Sequence, residues 1–295
     1  MNLDFYRRIL ANETLTFALS SRSLWRLNGP DALRYLNGQV TNDVTHLADG
    51  EGSYAAVCTA KGRMEGDLCI ARHEAAFYLD AAPVLHESLG LRLEKYLVAD
   101  DAVFEDIGDI WHLSHVFGPA QPPLPDDGFI IPRARYGIPG HDLWVPGSEP
   151  AVIGDLVEAD VVETLRLEHG IPAWDAELTP TTLPPEAGPR MLAAISYTKG
   201  CYVGQETIAR LKSVGHVNRT LVFLRSESAA FPTPSAKLMQ GDREVGLVSS
   251  GGFSPRLERG IALGYVQRSL AEEGVQLKAG ELKLTVASPL EPESK

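Results

Sequence analysis

One stretch of this sequence combines residue types that do chemistry. It runs Lys199-Gly200-Cys201-Tyr202-Val203-Gly204-Gln205-Glu206 and continues through Arg210, Lys212 and His216 to Arg219. From Lys199 to Arg219 there are four Lys or Arg residues and one acid, Glu206. That is a positive island in a chain of formal net charge −12. Gly200 and Gly204 let the backbone bend tightly and approach a ligand. A lysine two residues from a cysteine stabilises the thiolate, the form that attacks electrophiles and binds metals. The chemistry on offer at Cys201 is nucleophilic or redox. A solitary cysteine also serves as a small buried hydrophobe, and a charge run as a solvated helix face. Residue types alone leave both readings open.

The eight residues from Lys199 to Glu206 resemble K-G-C-F/Y-x-G-Q-E, the signature of the YgfZ family, folate-binding relatives of the glycine-cleavage T-protein. Arg210, Gly215, Asn218-Arg219 and Leu221 continue the resemblance. So do Leu36-Asn37-Gly38-Gln39-Val40-Thr41-Asn42-Asp43-Val44, Arg166-Leu167-Glu168-His169-Gly170-Ile171-Pro172, Pro185-Glu186-Ala187 and Gly260 to Val266. The resemblance implies an α+β fold, a three-domain cloverleaf of the aminomethyltransferase type around a folate-binding channel. Two α+β domains, over 1–118 and 119–212, would precede a C-terminal β-barrel over 213–295, with the signature in the second. The implied ligand is tetrahydrofolate or another reduced folate. The implied partners are iron–sulfur client or assembly proteins, in an accessory role in cluster assembly or repair that is linked to tRNA modification. The alternative is a folate-dependent aminomethyltransferase, and whether the chain is an enzyme stays open.

The same resemblance implies site residues. Glu168 matches the T-protein glutamate that hydrogen-bonds the pterin, a job that suits a carboxylate because it accepts parallel N–H bonds strongly. Asp67 falls at or near the catalytic aspartate, with Glu65 as a neighbour in a shifted alignment. Asn42 and Asp43 would line the same channel, and Lys199 would face it. Tyr202 or Trp174 would stack on the ring. Arg210, Lys212 and Arg219 would hold a glutamate tail by carboxylate pairing. Cys201 is the departure from the T-protein, a thiol for redox or iron–sulfur chemistry. Clusters usually take four ligands, and Cys58 and Cys69 have strand-like, buried surroundings, so the contact with a client's cluster would be transient and no metal site is expected. Plainer roles stand beside these: a turn-capping aspartate at 67, helix-end residues at 42, 43 and 168, core packing for the aromatics, and surface residence for the arginines. A cysteine hydrolase pairing Cys201 with His216 or His169 is a further option, provided the pair meets within hydrogen-bond reach.

The elements that must position these residues are legible in part. At 295 residues, 44% hydrophobic and 22% charged, the chain has the proportions of a globular protein of two or three domains. The acidic balance disfavours direct nucleic-acid binding. Three cysteines without a C-x-x-C pair point to a reducing, cytoplasmic setting. Neither a secretory leader nor a membrane span is expected. Apolar spacing predicts a helix over 30–40, a hairpin through 53–58, Lys61-Gly62 and 68–70, a helix over 83–97, and strands near 102–107 and 110–117. Four prolines within 118–128 predict a loop. Asp160 with Glu163 predicts a capping-box helix start, and five prolines within 171–190 predict a long irregular loop. Strands over 217–224, 244–249, 260–266 and 282–286 predict a closing β-barrel or sandwich.

Overall fold

The computed structural model of the chain describes residues 1–124, 126–213 and 215–291. It begins with α1 (Leu3–Leu10), β1 (Leu15–Ala18), β2 (Ser23–Asn28), α2 (Ala32–Gln39), β3 (Gly52–Cys58), β4 (Met64–His73), β5 (Ala76–Ala81), α3 (His86–Lys95) and β6 (Val103–Asp106). There follow β7 (Trp111–Phe117), β8 (Phe129–Pro132), β9 (Gly140–Pro146), β10 (Asp155–Leu156), α4 (Ala159–Glu168), α5 (Gly188–Ala193) and α6 (Gln205–Ser213). The chain closes with β11 (Arg219–Ser226), β12 (Lys237–Gln240), β13 (Arg243–Ser254), β14 (Arg259–Gln267), β15 (Gln276–Ala279) and β16 (Leu282–Ala287).

Two five-stranded sheets and a barrel result. The first sheet has the order β3-β4-β5-β2-β6, the second β10-β1-β7-β9-β8, and the last six strands close as β11-β14-β13-β12-β15-β16. This is the α+β arrangement with a terminal barrel that the sequence implied. The sheets do not follow the chain in simple blocks. β1 and β7 lie N-terminal to residue 118, yet both pair within the second sheet, Thr16 opposite Val116. The N-terminal segment thus crosses to the second sheet before the chain builds the first.

Strand periodicity decides what faces the site. Successive side chains on a strand point to opposite faces. On β4, Leu68 and Ile70 therefore join the core beneath α2 and α3, with Trp25, Leu36, Val57 and Leu89. Asp67 and Cys69 must face the other way. On β3 the same alternation sends Ala55 and Val57 into that core, and Ala56 and Cys58 into a cluster with Met64, Met191, Tyr202 and Ile208. The back of the first sheet is thereby covered by the polypeptide between α4 and the barrel. Leu24, Ala71 and Tyr78 of the first sheet meet Leu113, Phe129 and Trp144 of the second in another core.

Two local expectations change. Helix α4 starts at Ala159 with Glu158 at its cap and no side-chain capping bond. Asp160 instead pairs with the N-terminal amine at 2.7 Å and Glu163 with Arg166, so both carboxylates are drawn to cations and not to the orphan N–H groups. The proline-rich stretch 171–190 is not wholly irregular: a 3₁₀ turn spans Pro184–Glu186 and α5 begins at Gly188. Pro185 and Pro189 sit in the first turns of those elements, where a missing N–H costs nothing.

Candidate functional site

A cavity of about 160 Å³ opens where the back of the first sheet meets the second sheet and the segment after α4. Its walls include Asp67 and Tyr54 from the first sheet, Tyr136 from the loop after β8, and Trp174 beyond α4. Four arginines also line it: Arg22, Arg135, Arg166 and Arg190. A typical small-molecule pocket holds about 300–1,000 Å³, so this space suits a ring system and not a long ligand.

Asp67 is the acid of the cavity. The Tyr54 hydroxyl donates to its Oδ2 at 2.9 Å. Its Oδ1 is buried and has no hydrogen-bond partner among the described residues. Burial pushes the Asp67 carboxyl above its ordinary value, partly opposed by Arg22 and Tyr54. Burial, and then the charge of Asp67, push the Tyr54 phenol up as well, so it stays protonated and donates.

Behind Asp67 lies a buried ion network that sequence reasoning missed. Arg135 bridges Asp80 on β5, at 2.9 Å, and Asp142 on β9, at 2.6 Å, tying the two sheets together. Arg22 pairs with Asp80 at 2.6 Å, and His115 Nδ1 lies 2.9 Å from Asp142. Burial opposes ionisation of Asp142, but Arg135, His115 and Arg133 outweigh it and hold the carboxyl far below its usual range. Arg135 also donates to the Cys69 thiol at 3.5 Å, and Cys69 shares the cavity wall with Asp67. The available signal was Asp80 inside Phe77-Tyr78-Leu79-Asp80-Ala81: a charge within an apolar strand needs a buried partner.

The structure disperses the other expected site residues. Glu168 is 0% exposed and does not line this cavity. The Tyr6 hydroxyl sits 2.8 Å from both of its oxygens, and Ser254 of the barrel donates to one of them. Through these bonds Glu168 joins α1, α4 and the barrel. Lys199 does not reach the cavity either. Its ammonium donates to the carbonyls of Asn37 (2.6 Å), Val40 (2.9 Å) and Asn42 (2.6 Å), capping the C-terminal end of α2. Burial pushes it down to about 8. Tyr202 packs in the core behind the first sheet, its ring 5.2 Å from the Lys199 ammonium. Asn42 donates to the Tyr54 carbonyl at 3.0 Å and to Ser53, so it supports the strand carrying Tyr54 and does not line the cavity. Arg210 is exposed on α6, and of the two aromatics expected to stack on the ring Trp174, not Tyr202, lines the cavity.

The signature loop is clamped on both sides of its cysteine. Gly204 has φ +89°, and a Cβ there would meet the Thr59 carbonyl oxygen at 2.6 Å and the Gly62 Cα at 3.1 Å. Only glycine permits that contact with the β3–β4 turn. Val203 donates its N–H to the Gly38 carbonyl at 3.1 Å. Between the Lys199 cap and the Tyr202 anchor, Cys201 is exposed, while Cys58 and Cys69 are buried. Cys201 makes no hydrogen bond among the described residues, and His169 Nδ1 is occupied by the Leu290 carbonyl. Among the described residues no hydrogen bond joins Cys201 to either His216 or His169.

Two family models match the chain: the GCVT N-terminal domain over residues 10–122 and the glycine cleavage T-protein C-terminal barrel domain over residues 219–288. A tRNA-modifying protein YgfZ from Edwardsiella ictaluri is 30% identical over 260 residues, spanning 78% of this chain and 77% of that protein. The chain belongs to the YgfZ family. An aminomethyltransferase from Exiguobacterium sibiricum is 27% identical over 281 residues, covering 84% of this chain and 76% of that protein. The glycine cleavage system aminomethyltransferase T from Bartonella henselae superposes with a TM-score of 0.82 at 21% identity, over 98% of this chain and 90% of its own. The fold of this YgfZ-family chain is thus that of the T-protein, with the K-G-C-Y-V-G-Q-E loop docked on the turn between β3 and β4.

Proposed function

We propose that this chain binds a reduced folate, with the pterin ring in the Asp67 cavity, and acts as a cytoplasmic accessory factor for iron–sulfur proteins. The observation that carries the folate reading is Asp67: a half-buried aspartate whose Oδ1 is buried and unpartnered among the described residues, lining a ring-sized cavity beside Tyr54, Tyr136 and Trp174. An orphaned buried acceptor is costly. A 2-amino-4-oxo pyrimidine offers adjacent N–H donors that satisfy it. The aromatic residues supply faces for a flat heterocycle. The residues present therefore fit a pterin, and a bound folate would supply a nitrogen carrier for one-carbon units. Asp67 would orient the ring and hold or release a proton at its carboxyl.

The accessory role rests on family membership and on Cys201, an exposed thiol on an anchored loop. It stands outside the cavity wall, where a protein partner can reach it. The net charge of −12 supports an indirect link to tRNA modification, through client enzymes and not through RNA contact. The second reading is one-carbon transfer: Asp67 is intact, and the relative from Exiguobacterium sibiricum carries the aminomethyltransferase name. Steady turnover of an aminomethyl-lipoyl carrier protein with tetrahydrofolate would establish that reading.

Calorimetric titration with tetrahydrofolate tests the proposal. Wild-type protein should bind, and Asp67→Ala should bind at least tenfold more weakly, the equivalent of about 1.4 kcal/mol. No heat with wild-type protein, or equal affinity in the variant, overturns it.

A further inference from the structure

The cavity arginines are not equivalent. Arg22 is committed to Asp80, Arg135 to Asp80 and Asp142, and Arg166 to Glu163 and Glu177. Each of these carries its own counter-charge, so none attracts a further anion strongly. Arg190 differs. It reaches the Ala134 carbonyl at 3.3 Å and lies over the Tyr54 ring at 5.4 Å. Among the described residues it forms no ion pair. It is half-buried, in α5, at the edge of the cavity.

Size then decides what Arg190 meets. About 160 Å³ admits a ring but no long substituent, since whole small-molecule ligands fill about 300–1,000 Å³. A ligand whose ring contacts Asp67 must send its tail out past the cavity edge. A half-buried guanidinium without a counter-ion has lost part of its hydration, which one backbone carbonyl and a ring face restore only in part, and a carboxylate offsets the rest through paired N–H bonds. Resting on the reduced-pterin reading, we infer that Arg190 is the specificity-determining residue of this site: it holds the carboxylate tail of the ligand and selects folates over pterins with uncharged side chains. Arg210, exposed on α6 and absent from the cavity wall, does not have this role.

The test is a two-by-two titration. Tetrahydrofolate and 6-methyltetrahydropterin, which has the ring and no tail, are each titrated into wild-type protein and Arg190→Gln. Wild-type protein should prefer tetrahydrofolate. Arg190→Gln should lose about tenfold in affinity for tetrahydrofolate, the size of one charge-assisted hydrogen bond. It should bind the tail-less pterin within twofold of wild type, which also shows that the variant is folded. Raising the salt should narrow the wild-type preference. Equal weakening for both ligands, or none for either, overturns the inference. So does a wild-type protein that binds both ligands equally, a result that leaves the pterin reading standing. Wild-type protein that binds neither ligand fails the pterin reading, and the inference with it.

Discussion

The Tyr54 hydroxyl donates to Asp67 Oδ2 at 2.9 Å and leaves Oδ1 buried without a partner. A phenol and a carboxylate at this distance would usually close a network; here the network stops at an acceptor on the cavity wall. Burial also pushes the pKa of this carboxyl up, against the pull of Arg22 and Tyr54, and an N–H donor brought to Oδ1 would favour the ionised form.

Stability should report that shift with a definite sign. The folded chain takes up the Asp67 proton at a higher pH than the unfolded chain does. Asp67 therefore weakens the fold where it is ionised in both states, and the penalty is relieved as pH falls through its folded pKa. Asp80 and Asp142 are held low, so their contribution is present above the ordinary carboxylate range and lost as pH falls through their folded values. Asp67→Asn should raise Tm at pH 7, and its advantage over wild type should vanish near about pH 4. Calorimetric melts across that range check it.

Lys199 should prove structural. Replacing it with Met leaves three carbonyls at the end of α2 without their donor. Lys199→Met should lower unfolding stability by about 3 kcal/mol, read from urea denaturation. The nearby Cys201 loop should then become susceptible to proteolysis.

Glu168→Ala should separate fold from ligand. It removes the acceptor shared by Tyr6 and Ser254 and should cost about 2–3 kcal/mol of stability. Tetrahydrofolate affinity of the folded variant should stay within about twofold of wild type, measured by calorimetry below its melting transition.

The three thiols should react in a fixed order. Cys201 is exposed, and Cys58 and Cys69 are buried. A maleimide should label Cys201 alone in native protein, and the other two only in denaturant. Cys201→Ser should keep the wild-type Tm and fail to complement a strain lacking the protein. Full complementation would remove the thiol from the account.

The fates of these residues show what the sequence carried. Arg166 and Glu168 were read from one motif, yet residues two apart on a helix point about 200° apart. Only one of them can face the cavity, and it is Arg166. Lys199 was read as a channel residue beside Cys201, but its acceptors lie more than 150 residues away, beyond any local pattern. Asp67 was read only through the family resemblance; the structure adds its direction, because alternation along β4 opposes it to Leu68 and Ile70. The terminal barrel announced itself through short strands between turn residues. The crossing of β1 into the second sheet did not, because its pairing with β7 is set by contacts about a hundred residues apart. Arg190 stood in a proline-rich stretch that gave no sign of a cavity.

The most direct measurement is a crystal structure with tetrahydrofolate bound. The account predicts the pterin ring in the cavity, its N–H groups within about 3 Å of the Asp67 carboxylate, and the tail leaving past Arg190. A ring bound against Glu168, or on the α6 surface near Arg210, would contradict it.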